Sequence, residues 1–138
     1  MAIARGGADL NEELGGETRR LRLRNDEIAR FEAQHDLGIY VLWDQLIGAA
    51  QKPQARHVRD LVALALVGGG MIDVDADKLI DSLGPDHNPR LLILAKTVLG
   101  VAFYPDLLRG GQDKKKEAGS PSRKPSASDP SDMTPSSG

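Results

Sequence analysis

The sequence predicts a mainly α-helical domain, with an N-terminal β-hairpin packed on a small bundle of about five helices and a disordered C-terminal tail. Three observations carry this reading. The 138-residue chain is 40% hydrophobic but only 4% aromatic, so its core is built mainly from Leu, Val, Ile and Ala, a palette that suits packed helices. Apolar residues recur at helical spacing through most of the span from Ile28 to Val101. From Gly110 to Gly138 the chain turns to Ser, Pro, Gly and charge, with Met133 as its sole large apolar residue. Such a segment buries too little surface to offset the entropy of ordering it. The domain reading is therefore a hairpin-plus-helix body over residues 1–109 and a tail over 110–138.

The hairpin is signalled by Leu14-Gly15-Gly16-Glu17, whose two glycines suit the left-handed dihedrals of a tight loop. Closing the chain there puts Glu12 opposite Arg19, Leu10 opposite Leu21 and Ala8 opposite Leu23 on one face. Asn11 meets Arg20 and Asp9 meets Arg22 on the other. Opposite charges and paired leucines fall together, each pair worth roughly 0.2–1 kcal/mol. The run Arg19-Arg20-Leu21-Arg22-Leu23-Arg24 offers a phosphate-binding strip, but its acidic and amide neighbours favour a solvated, ion-paired strand face.

Asn25 reads as the cap of a first helix with Asp26 and Glu27 in its first turn, Ile28, Phe31 and His35 on one side, and Gly38 as its stop. A second helix begins near Ile39. Its stripe is Ile39, Leu42, Trp43, Leu46, Ile47 and Ala50, with Trp43 as a core anchor, and Lys52-Pro53 ends it. A third runs from about Gln54 to Val67 with Val58, Leu61, Val62, Ala65 and Leu66 buried, and stops at Gly68-Gly69-Gly70, read as a flexible terminus. Asp73, Asp75 and Asp77 cap and charge a short fourth helix whose apolar side is Leu79, Ile80 and Leu83. Asn88 and Pro89 then open the most apolar helix, in which Lys96 is the only charge between Leu91 and Tyr104. At about 14 apolar-rich residues it falls short of the roughly 20 needed to span a bilayer. It is expected to form the central core helix, with Leu91 to Leu99 inside and Phe103, Tyr104 and Leu107 meeting a partner.

Several chemistries are disfavoured by composition and spacing. The chain has no cysteine, which excludes disulfides, thiolate metal sites and thiol catalysis. Its net charge is −2; the tail from Gly110 carries +1 and the body −3, which argues against nucleic acid as the main partner. The triple glycine is followed by no Lys-Ser/Thr, so it is not a phosphate loop. The aspartate run has Lys78 where a calcium loop needs Gly and Gly84 where it needs Glu. His35, His57 and His87 are scattered over different elements, and no catalytic spacing is present. The expectation is a non-enzyme without cofactor or metal. The N-terminal stretch has no apolar signal core, so the chain is expected to be soluble and cytoplasmic.

The order of these elements, with the segments Arg20-Leu21-Arg22-Leu23, Ile28-Ala29-Arg30-Phe31-Glu32, Gly38, Gly68-Gly69-Gly70, Leu79-Ile80-Asp81-Ser82-Leu83-Gly84 and Ala102-Phe103-Tyr104-Pro105, resembles a family over about residues 6–108. That family is the small tail proteins of gene transfer agents and siphophages classed as tail assembly chaperones, also described as tail tube proteins. The resemblance implies a non-enzymatic role: binding the tape measure protein, a long apolar helical chain, and helping to recruit tail tube subunits, in the host cytoplasm during particle assembly. A structural tail tube or connector protein, self-associating as a homo-oligomer, is the alternative. A small DNA-binding helical domain is the third reading, resting on the arginine strand and Lys114-Lys115-Lys116.

Overall fold

The computed structural model describes residues 9–106. The chain divides into two compact units, Met1–Phe103 and Tyr104–Gly138, and all the elements below belong to the first. Strands β1 (Leu10–Leu14) and β2 (Glu17–Leu21) form an antiparallel hairpin, followed by helices α1 (Asn25–His35), α2 (Ile39–Leu46), α3 (Ala55–Gly68) and α4 (Asp73–Asp81). A single 3-10 turn (Pro85–His87) runs straight into α5 (Asn88–Phe103). The mainly helical class with an N-terminal hairpin is thus as read from the sequence. The expected tail, residues 110–138, lies outside the described residues.

The hairpin closes in the expected register, with Leu10 opposite Leu21, Asn11 opposite Arg20 and Glu12 opposite Arg19. Gly15 and Gly16 take φ of 67° and 89°, the left-handed pair that a two-residue turn between right-twisted strands requires. The arginines of β2 and just after it are ion-paired within the fold: Arg20 and Arg22 both reach Asp9, at 2.9 and 3.6 Å. One expected pair is rearranged. Arg19 donates to the Leu14 carbonyl at 3.0 Å and pairs with Glu17, while Glu12 is taken by Arg90 of α5 at 3.2 Å. The same Arg90 donates to the backbone carbonyl of Glu13 at 3.0 Å.

The hub of the core is α3, which corrects the expectation that α5 holds that place. Helices α1, α4 and α5 and strand β2 all pack on α3, and every residue from Leu61 to Leu66 is buried. The physical reason is size: Ala63 and Ala65 alternate with larger side chains and let neighbours approach on more than one side. Helix α5 is one-sided by comparison. Leu91, Leu94, Ala95, Val98 and Leu99 are buried, but Leu92 and Ile93 are exposed, so the expected Leu91–Leu99 core is every third or fourth residue of that span. Helix α2 packs on α5 and α1.

Some boundaries move. Asn25 is the first residue of α1, not its cap; Arg24 holds the cap position, and its backbone N–H donates to the Glu27 carboxylate at 2.9 Å. Gly38 does not stop α1; Asp36 does so in the left-handed region, and Gly38 caps α2. Helix α2 ends at Leu46 rather than near Ala50, because Gly48 turns the chain at φ 84°; Ile47 and Ala50 are consequently exposed. Asn88 is already the first residue of α5 and closes the preceding 3-10 turn instead of capping α5. The aspartates of α4 charge its first turn, but Ile72 stands at the cap.

The triple glycine ends α3 as expected, yet not as a loose terminus. Arg22 of the hairpin donates its backbone N–H to the Ala65 carbonyl at 2.9 Å, which brings the chain after β2 onto the last turn of α3. A Cβ at Gly68 would lie 1.9 Å from the Arg22 carbonyl oxygen, and one at Gly69 would lie 2.1 Å from that of Arg20. Only glycine fits there.

Candidate functional site

The residues singled out for partner contact do not form one described site. Phe103 is the last residue of α5 and is partly buried, its ring 5.6 Å from Tyr40 and 5.5 Å from Trp43. Gly100 lies against the Trp43 ring, where a Cβ would meet it at 3.6 Å, an ordinary van der Waals contact. Trp43 thus anchors the α2–α5 seam from a partly buried position. Tyr104, half exposed, begins the second unit, and Leu107 lies outside the described residues.

A different feature has the shape of a binding surface. The end of α2, the connector 47–54, the start of α3 and the start of α5 surround a groove of about 420 Å³ whose walls include Leu46, Pro53, Val58, Pro89 and Leu92. Each element contributes for a local reason. Gly48 turns the connector away after α2, and at its far end Pro53 precedes Gln54, which caps α3 in the extended conformation. Pro89 sits in the first turn of α5, where its missing N–H costs nothing, and presents its ring to the groove. Polar groups are few: Gln45, Lys52 and Asn88. The Gln45 side-chain oxygen is buried there without a hydrogen-bond partner among the described residues. Leu92 is 38% exposed and Ile93, beside it on α5, 56%, so apolar surface continues past the groove mouth.

The second concavity, about 460 Å³, is polar. It is lined by His35 of α1, Arg56, Arg59 and Asp60 of α3, and Asp77 and Asp81 of α4. His35 Nε2 lies 2.6 Å from Asp60 Oδ2, and the His57 ring stands edge-on 4.7 Å from that of His35. Histidines scattered in the sequence are thus brought together by the α1–α3 contact. His57 is buried with neither ring nitrogen bonded. Burial pushes its pKa down, as do the charges of His35 and Arg56, against Asp60. Arg59 is fully engaged elsewhere, donating to the Ile80 and Leu83 carbonyls at 2.6 and 2.9 Å and to Asn88 at 2.8 Å. The described lining of this concavity holds no Ser, Thr, Tyr, Lys or Cys. Among the described residues, no three His, Asp or Glu side chains converge as a metal site.

Sequence reading missed both concavities. The groove's walls come from four separate elements, and its turn rests on Gly48, which the pattern had placed inside a longer helix. The histidine cluster had one local signal, Phe31 and His35 one turn apart on α1; their rings lie 4.8 Å apart.

Comparison with known families decides the assignment. A family model described as phage tail tube protein, GTA-gp10, matches residues 8–104 of the 138-residue chain, which takes in every element of the fold. The chain belongs to this family. No curated protein and no solved structure matches. Membership places the chain among tail proteins of phages and gene transfer agents, in agreement with the resemblance carried by its element order, and the family is not an enzyme family by its description. No described helix is long and apolar enough to cross a membrane.

Proposed function

We propose that this member of the tail tube family acts without catalysis as a tail assembly chaperone: it holds an apolar helical segment of the tape measure protein and aids the placing of tail tube subunits around it. The observation that supports this reading most is the groove between α2, α3 and α5. A concave, mostly apolar surface bounded by rigid helices suits the apolar face of one helix, which is how helix-in-groove recognition works. The exposed Leu92 and Ile93 continue that apolar surface past the groove mouth. Phe103, with Tyr104 and Leu107 after it in the sequence, is proposed as a further contact. Assembly takes place in the host cytoplasm.

Co-expression with the tape measure protein encoded in the same gene cluster is the direct test. The tape measure protein becomes soluble and co-purifies with this chain; if it stays insoluble and nothing co-purifies, the reading fails.

A second reading has the family's own description behind it: a structural subunit of the tail tube or connector, oligomeric in the particle. Mass spectrometry of purified particles separates the two. A chaperone is absent or scarce there, and a tube subunit is abundant.

A further inference from the structure

We propose that the segment held in the groove is an amphipathic helix whose apolar stripe is flanked by carboxylates. The inference rests on the chaperone reading and adds the chemistry of the partner. It comes from where the unpaired charges lie.

The described residues are acidic in balance, and nearly all their cations are engaged. Arg19, Arg20, Arg22, Arg24, Arg30 and Arg90 have carboxylate partners. Arg59 is spent on backbone carbonyls and Asn88, and Arg56 donates to Gln54. Three lysines, Lys52, Lys78 and Lys96, have no ion pair among the described residues. One of these, Lys52, stands at the groove, and Lys96 lies on the exposed face of α5 that continues from it. Lys52 is the only charged residue that lines the groove, and no carboxylate does. Lys96 lies four residues after Leu92 on α5, hence on the same face and about 6 Å further along the axis. The outward stripe of α5 therefore reads Pro89, Leu92, Ile93, Lys96, with Lys52 on the connector side. An apolar strip with a cation at each of two margins, in a body of opposite overall sign, is complementary to a helix carrying acidic residues beside its apolar face. Such rim charges orient a partner and speed its capture while the apolar contacts hold it.

The test uses the full-length chain and overlapping segments of the tape measure protein fused to a soluble carrier. Affinity is measured at low salt and at high salt for wild type, a K52E/K96E double variant, a K52R/K96R double variant and Leu92→Asp. All substituted side chains are exposed, and thermal unfolding checks that the fold is kept. The proposal expects the double reversal to weaken binding on the order of tenfold at low salt, with the difference closing at high salt, where exposed charges are screened. The arginine variant binds as wild type. If Leu92→Asp abolishes binding but neither charge reversal nor salt changes it, the acid-flanked helix is overturned and the groove remains the contact. If Leu92→Asp binds normally, the groove itself is wrong and both fall. If no segment binds the wild-type chain, the chaperone reading goes with it. Should the chain instead be retained on DNA through these lysines, with tape measure binding unaffected by their reversal, the cations serve nucleic acid and the proposal is overturned.

Discussion

Single residues hold this fold at close tolerances, and the two glycines at the end of α3 are the sharpest case. A methyl group at Gly68 or Gly69 would enter the backbone carbonyl of Arg22 or Arg20, and neither backbone can yield without breaking the Arg22-to-Ala65 bond. Gly68→Ala and Gly69→Ala are each expected to cost about 3 kcal/mol, read as a lowered denaturation midpoint. Gly48→Ala, at φ 84° with open space around it, costs only about 1 kcal/mol of backbone strain. His57 gives a pH dependence. Its folded pKa lies below the ordinary 6.5, first through burial and then through the charges of His35 and Arg56. The unfolded chain therefore binds a proton below pH 6.5 that the folded chain resists. Stability contributed by neutral His57 is present above that pH and falls as the pH drops through it. Denaturant titrations from pH 8 to 5 should show the decline, and His57→Phe should flatten it. Glu27 acts in the same direction of pH, although here the charged form is the favoured one. Burial pushes its carboxyl up, but the Arg24 side chain, backbone N–H and charge outweigh this and hold it below the ordinary 4.5. Its contribution is present above that value and is lost at lower pH.

Between elements, Arg59 is the chief polar fastener. From α3 it satisfies two carbonyls at the end of α4 and the side chain of Asn88 at the start of α5. The Leu83 carbonyl lies past the last turn of α4, and the Ile80 carbonyl also accepts the Leu83 N–H at 3.0 Å. Arg59→Met keeps the aliphatic stem but removes the three bonds, and is expected to cost about 2–3 kcal/mol. Hydrogen exchange should localise the loosening to α4 and the first turn of α5. This fastening also explains what the sequence could and could not tell. Periodicity sufficed for the helices and for the stripe Val58, Leu61, Val62, Ala65 and Leu66, because burial on one side repeats with the helix itself. The hairpin register followed from two turn glycines and the side chains they oppose. Asn88 misled, since a residue favoured as a cap is equally able to accept an arginine hydrogen bond from another helix. The hub role of α3 was hidden because hydrophobicity alone favours α5, whereas multiplicity of neighbours depends on small residues such as Ala63 and Ala65. The groove had no linear signature at all, as its walls meet only when the fold is complete.

At the scale of the first unit as a whole, β2, α1, α4 and α5 all pack on α3, and α2 packs on α5 and α1. Burial is thus divided between a shared core and an outward stripe on α5 that the domain does not itself use. A chain made for binding would gain from leaving such a strip open while denying other contacts, and the hairpin shows how one of these is denied. The outer edge of β2 is covered by the end of α3, which leaves β1 as the strand able to pair with another chain. Arg90 occupies the Glu13 carbonyl on β1 and holds Glu12 beside it. An edge strand so obstructed is a poor template for strand addition. Arg90→Ala should free it, and light scattering at raised concentration should then register slow self-association that the wild-type chain does not show. One arginine side chain thus keeps the free edge of a two-stranded sheet from serving as a template for further strands.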